Sequence, residues 1–209
     1  MEFKIENVEI YGINKSIISS GNAMRTVMDD NTIDASEKDL TRAIKLGSTD
    51  IGHGHDNFLN GIIVQFDLYA PLYMWKQIQR YHFLDFISSQ STMHRLAKFK
   101  VSECCVDDTD EVILERYQFL LDTYNNFDIR YASMNDVVLK NELKIKKWRK
   151  LVASLPCGFV LGATMTTNYR QLKTIYHQRK NHKLDEWHQF CTWCESLPHF
   201  KELILKEND

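Results

Sequence analysis

Four groups of residues in this chain have types and spacings that can do chemistry. His53-Gly54-His55-Asp56-Asn57 sets two imidazoles two residues apart beside a carboxylate. A metal centre needs three or four ligands, and the neighbouring sequence does not supply the rest. A polar loop that meets a ligand or cofactor is the better reading, and no metal site is expected. Cys191-Thr192-Trp193-Cys194 has the Cys-x-x-Cys spacing used for zinc or thiol–disulfide exchange. It falls inside a helical pattern, with no second pair and away from a helix start, where the dipole would lower a thiol pKa. Packed, reduced cysteines are expected there. Gln77, Arg80, His82 and Asp85 lie among Trp75, Tyr81, Phe83 and Phe86. Polar groups set among aromatics suit a planar ligand, and the competing reading is a solvated helix face. Asn168, Arg170 and Arg179 form the fourth group. Two guanidiniums can hold phosphate or a pyrimidine oxygen bidentately, or can simply be surface charges on a helix. No Gly-rich phosphate loop, Ser-His-Asp order or paired-carboxylate motif accompanies them.

These residues need elements to position them. Ser36-Glu37-Lys38-Asp39 has the form of a helix start, and Leu40, Ala43, Ile44 and Leu46 continue at helical spacing to Gly47. A loop rich in Gly, His and Asp then runs to Asn60. Ile62, Val64, Phe66 and Leu68 alternate with Ile63, Gln65, Asp67 and Tyr69, which predicts a strand with one strongly apolar face. Ala70-Pro71 ends it, and Pro71 can open a helix. Leu72, Trp75, Ile78, His82 and Phe86 fall on roughly one side of that helix, which is therefore expected to reach Phe86. Further helices are expected over 108–125 and 135–153, the latter with a basic run from Lys144 to Lys150 and a break at Leu155-Pro156. Cys157 to Thr166 reads as a buried strand or strand-like turn. Thr167 or Asn168 caps a helix through Lys180, and 184–196 is the last helix. The pattern is α+β with helices dominant.

The 209 residues are 44% hydrophobic and 26% charged, with a formal net charge of −2. That suits a single domain spanning 1–209 with a sizeable core. Near-neutral charge gives no ground to expect a nucleic-acid polymer or a membrane as partner. The N-terminal residues lack a signal-peptide apolar run, and stretches such as Pro156 to Thr166 are too short to span a bilayer. Five cysteines do not form a secreted disulfide framework. A cytoplasmic location is the expectation.

Phe66-Asp67-Leu68-Tyr69-Ala70-Pro71, followed by a helix with Gln77 and Arg80, resembles the core of the flavin-dependent thymidylate synthases. In that family a strand leads into a helix carrying a Gln and, three residues on, an Arg-His-Arg triplet. Gly54-His55-Asp56-Asn57 resembles the family's Gly-His-Glu-Thr flavin loop, at the same distance from Ala-Pro. Leu155-Pro156 resembles the Leu-Pro that opens its C-terminal half. Counted from Pro156, the family's Asn, Arg and nucleotide-binding Arg fall on Asn168, Arg170 and Arg179. Residues 100 to 150 match only as generic helices.

The resemblance implies a twisted β-sheet flanked by helices, assembled as a homotetramer with sites at subunit junctions. It implies transfer of a one-carbon unit from methylenetetrahydrofolate to dUMP, giving dTMP, with FAD as cofactor and NADPH as reductant. Arg80, Ser91 and Arg179 would be catalytic. Gln77, Arg80, Ser91 and Arg179 would hold the nucleotide, and His55, Asn57, Arg80, Tyr81, His82, Asn168 and Arg170 would hold FAD. The chain departs from the pattern at several of these positions. The triplet reads Arg80-Tyr81-His82, the family's serine spacing falls on Gln90, and Ser91 is reached only with a one-residue insertion, beside Ser88 and Ser89 as rivals. A binding protein that kept the fold without turnover, and a related pyrimidine-nucleotide hydroxymethylating enzyme, are the alternatives. Gln77, Arg80, Asn168, Arg170 and Arg179 favour an enzyme, since they suit ligand contact and have little evident structural use.

Overall fold

A computed structural model of the chain describes residues 2–28 and 33–205. Met1, residues 29–32 and residues 206–209, part of the expected 1–209 domain, lie outside the described residues. In chain order the elements are β1 (Lys4–Tyr11), α1 (Ile13–Ser19), α2 (Glu37–Gly47), β2 (Ile63–Pro71), α3 (Leu72–Ile78), β3 (Asp85–Ser89), α4 (Thr92–Arg95) and α5 (Val101–Cys104). There follow α6 (Glu111–Asn125), α7 (Phe127–Arg130), α8 (Val137–Ala153), β4 (Val160–Asn168), α9 (Tyr169–Arg179), α10 (Asp185–Ser196) and α11 (Phe200–Ile204). The strands form one antiparallel sheet in the order β1-β2-β4-β3, so the fold is α+β, with β1 and β3 as edges. Among the described residues no helix is long and apolar enough to cross a membrane.

The chain divides into two compact units. One comprises residues 2–4, Leu68–Ile78 and Ser88–Ala163. Its core is Leu96, Val101, Cys104, Cys105, Tyr117, Leu120, Leu121, Leu151 and Phe159. The neighbouring helices α6 and α8 supply much of it, and each starts at an aspartate cap. Asp110 accepts from the backbone N–H of Val112, and Asp136 from that of Leu139, which satisfies donors that have no partner inside the helix.

The other unit comprises Ile5–Asp67, Gln79–Ile87 and residues 164–205. Val64, Phe66, Met165, Leu172, Ile175, Trp187, Phe190, Phe200 and Leu203 are buried in it. Phe66 lies 4.7 Å from Trp193 between ring centroids, and Trp187 meets Phe190 edge-on at 5.5 Å. A fully buried side chain of this size contributes about 1.5–3 kcal/mol. The helix start read at Ser36 is a complete capping box: Ser36 accepts from the Asp39 backbone N–H, and the Asp39 carboxylate accepts from that of Ser36.

The helix expected from Leu72 to Phe86 ends at Ile78 instead. The chain turns through Phe83, which has φ 59, and then enters the edge strand β3. Burial and one hydrogen bond explain the turn. Leu84 is buried, and the buried Thr167 hydroxyl donates to the Phe83 carbonyl at 2.7 Å. Arg80, Tyr81 and His82 are therefore loop residues, and Trp75 is buried in the first unit with its indole N–H donating to the Leu161 carbonyl.

Candidate functional site

Helix α9 positions most of the residues singled out in the second unit. Asn168 is its N-cap, and its side chain accepts from the Gln171 backbone N–H at 2.8 Å. One turn in, Lys173 is almost wholly buried. Its ammonium donates to the Gly47 carbonyl (2.8 Å), the Thr49 carbonyl (2.5 Å) and Asp56 Oδ2 (2.8 Å). All three ammonium protons are thus used. Asp56 is itself only 2% exposed, and its Oδ1 lies 3.2 Å from Arg170 Nε. That is an ion-pair distance outside hydrogen-bond geometry, so Oδ1 accepts no hydrogen bond. An ammonium and a guanidinium on one helix face thereby pin the 47–56 loop to the first turns of α9. His55 and Asn57 flank the pinned carboxylate and are exposed. The fold so brings His55, Asn57 and Arg170 to one region, next to Asn168. Among the described residues no cluster of three or more His, Cys, Asp or Glu can hold a metal ion.

The last turn of α9 carries a second constellation. Arg179 Nε donates to the Tyr81 hydroxyl at 2.7 Å, and that hydroxyl donates to Gln178 Oε1 at 3.1 Å. The guanidinium carbon sits 4.7 Å from the centroid of Trp187 and 5.5 Å from that of Tyr81. Both distances are within cation–π range. Trp187 is completely buried, so it forms a rigid floor. His182 meets the same indole edge-on at 6.2 Å. Burial, and then the Arg179 charge, hold its pKa below the usual histidine value.

The remaining residues fall in several places. Arg80 and His82 are exposed in the turn after α3. Gln77, on α3, and Ser91 belong to the first unit, and both are half-buried. Ser91 caps α4, its hydroxyl oxygen accepting from the His94 backbone N–H at 3.3 Å. Ser88 and Ser89 are exposed on β3. Gln90 is committed to the backbone: its N–H donates to the Gly162 carbonyl, and its Oε1 accepts from the Gly162 N–H, both at 2.9 Å.

Two sequence arguments change. Asn168, Arg170 and Arg179 do have structural uses, as a cap, an ion-pair partner and a stacked donor, so their presence alone does not argue for an enzyme. Lys173 and Trp187 have no place in the sequence reading, and Asp56 figures there only as the acid of a polar loop, although all three hold the two constellations together. The available signal was a lysine between Leu172 and Ile175, both inward-facing. The cysteine pair behaves as expected. Cys191 and Cys194 are buried and free, and burial pushes the Cys191 thiol up to about 11 and that of Cys194 well above its ordinary value. Such thiols are poor nucleophiles and poor metal ligands at neutral pH.

No family model matches the sequence, and no curated protein matches it. Solved structures do. Two crystal structures of the flavin-dependent thymidylate synthase ThyX from Helicobacter pylori, each complexed with FAD and dUMP, superpose with TM-scores of 0.63 and 0.65. Each is 14% identical in sequence, and each match covers 98% of this chain and 98% of the other. From end to end, this chain has the fold of the flavin-dependent thymidylate synthases.

Proposed function

We propose that this protein binds FAD and a deoxyuridine nucleotide and transfers a one-carbon unit to the nucleotide, converting dUMP to dTMP. The observation that carries this is the end-to-end fold shared with an enzyme solved twice with both FAD and dUMP. The donor proposed is methylenetetrahydrofolate and the reductant NADPH. The setting proposed is the cytoplasm.

The residues suit these ligands. FAD offers phosphates, ribose hydroxyls and a polar ring edge. His55, Asn57 and Arg170 offer side-chain N–H donors at the pinned loop, with Asn168 beside them, and Arg80 and His82 are exposed donors in the same unit. These would hold the cofactor, and bound FAD supplies the hydride chemistry. Gln77, Arg80, Ser91 and Arg179 are assigned to the nucleotide. A guanidinium donates two parallel hydrogen bonds to a uracil edge or a phosphate, which a lysine cannot copy. The chain is proposed to act as one functional domain and to assemble as a homotetramer. Phe83, Phe86 and Ile87, exposed on and beside the edge strand β3, supply apolar surface of the kind subunit interfaces bury.

A second reading, a homologue that binds FAD and nucleotide without turnover, is favoured by one observation. Only Arg80 of the family triplet is retained, and the phenol at its second position is engaged by Arg179. One purified sample separates the two. With FAD, NADPH, methylenetetrahydrofolate and dUMP supplied, the first reading gives dTMP, detected by chromatography, from a species of four chains by light scattering. Ligand binding without dTMP selects the second reading. A monomer would count against the shared-site assembly.

A further inference from the structure

We propose that Tyr81 is a positioning residue for Arg179, not the flavin contact that the family pattern implies at the triplet's second position. This rests on the nucleotide role given to Arg179 above. The phenol oxygen accepts from Arg179 Nε and donates to Gln178 Oε1, two consecutive residues of α9. It is therefore held at two points on the last turn of that helix, and its orientation relative to Arg179 is set. The Tyr81 ring also meets Trp187 edge-on at 6.1 Å, so phenol, indole and guanidinium form one packed group.

The consequence for Arg179 is geometric. The guanidinium has three nitrogens in a plane. The hydroxyl takes the Nε side, and the buried Trp187 ring lies against a face. Rotation about the last side-chain bonds breaks either the hydrogen bond or the cation–π contact, so the orientation of the guanidinium is held before any ligand arrives. A guanidinium binds a bidentate acceptor through parallel N–H bonds, which depend on that orientation. Ordering a long cation in advance removes an entropy cost otherwise met on binding, which corresponds to about three- to tenfold in affinity. The replacement of a triplet imidazole by a phenol is, in this chain, a means of orienting a different residue.

The test is a double-mutant cycle. Wild type, Tyr81→Phe, Arg179→Ala and the double variant are titrated calorimetrically with dUMP and with FAD. Tyr81→Phe keeps the ring and removes only the oxygen. It is expected to weaken dUMP three- to tenfold, to leave FAD affinity within twofold, and to change dUMP affinity by less than twofold once Arg179 is alanine. A ligand-free readout accompanies it: the Arg179 Nε–H signal in a 15N spectrum, assigned by its loss in Arg179→Ala, is expected to shift in Tyr81→Phe. Equal losses in both backgrounds mean Tyr81 touches the nucleotide itself and overturn the proposal. So do an unchanged dUMP affinity, a loss of FAD affinity, or an unmoved Nε–H signal. A wild type that binds neither ligand removes the parent reading, whereas a wild type that binds both while Tyr81→Phe is silent removes this inference alone.

Discussion

The two ends of α9 hold their cations by opposite means. Near its start, Lys173 is buried and spends every proton on two loop carbonyls and the buried Asp56. At its end, half-buried Arg179 is steered by a phenol and the face of an indole. A desolvated charge must be fully paired, because losing a partner leaves an uncompensated ion in a poor solvent. A cation at the surface keeps access to water, so its contacts set direction more than stability. One helix thus carries a fastening at its start and an aimed donor at its end.

The contrast can be broken by measuring stability at both ends. Lys173→Met leaves Asp56 and two carbonyls without their main partner, and is expected to cost about 3–5 kcal/mol in urea unfolding. Arg179→Ala, at the half-buried end, is expected to cost about 1 kcal/mol or less. Comparable losses, or the reverse order, would show that burial does not distinguish the two ends.

A smaller effect sharpens the difference between a fully buried carboxylate and a half-buried one. Asp39, in the capping box of α2, has its pKa lowered from 3.8 to about 2, first by the Ser36 side-chain hydrogen bond and then by Arg42. A pKa depressed by folding means stability that is fully present above the unfolded value. It is lost as pH falls from near 4 toward 2. Ser36→Ala is expected to flatten that part of the stability–pH curve and to leave the curve above pH 5 parallel to wild type. An unchanged slope between pH 4 and 2 would remove Ser36 as the cause.

Much of this arrangement was legible in the sequence, for identifiable reasons. The α2 start is written in local chemistry, Ser36 with Asp39 three residues on. The apolar face of β2 is written in period two. Asn168 was one of two residues read as a possible cap, and it is the cap. The edge strands were not legible. β3 is exposed along its whole length, so no apolar alternation marks it, and the aromatics before it continue a helical spacing that tertiary contacts cut short at Ile78. β1 mixes charge with apolar residues, as an edge strand with an exposed face does. For Lys173 the only local signal is its place between the inward-facing Leu172 and Ile175; its partners lie more than a hundred residues away in sequence. That the Trp187 indole sits beneath the Arg179 guanidinium is likewise a fact of packing that residue types do not show. Residue types named the candidates at both ends of α9, but their burial and partners came from long-range packing.

The central claim is that this fold is used here to bind a flavin, and the visible spectrum of the purified protein tests it most directly. The account predicts oxidised-flavin absorption in the protein as isolated, or its appearance in the protein fraction after incubation with FAD and gel filtration. A folded protein that is colourless and takes up no added FAD would contradict it.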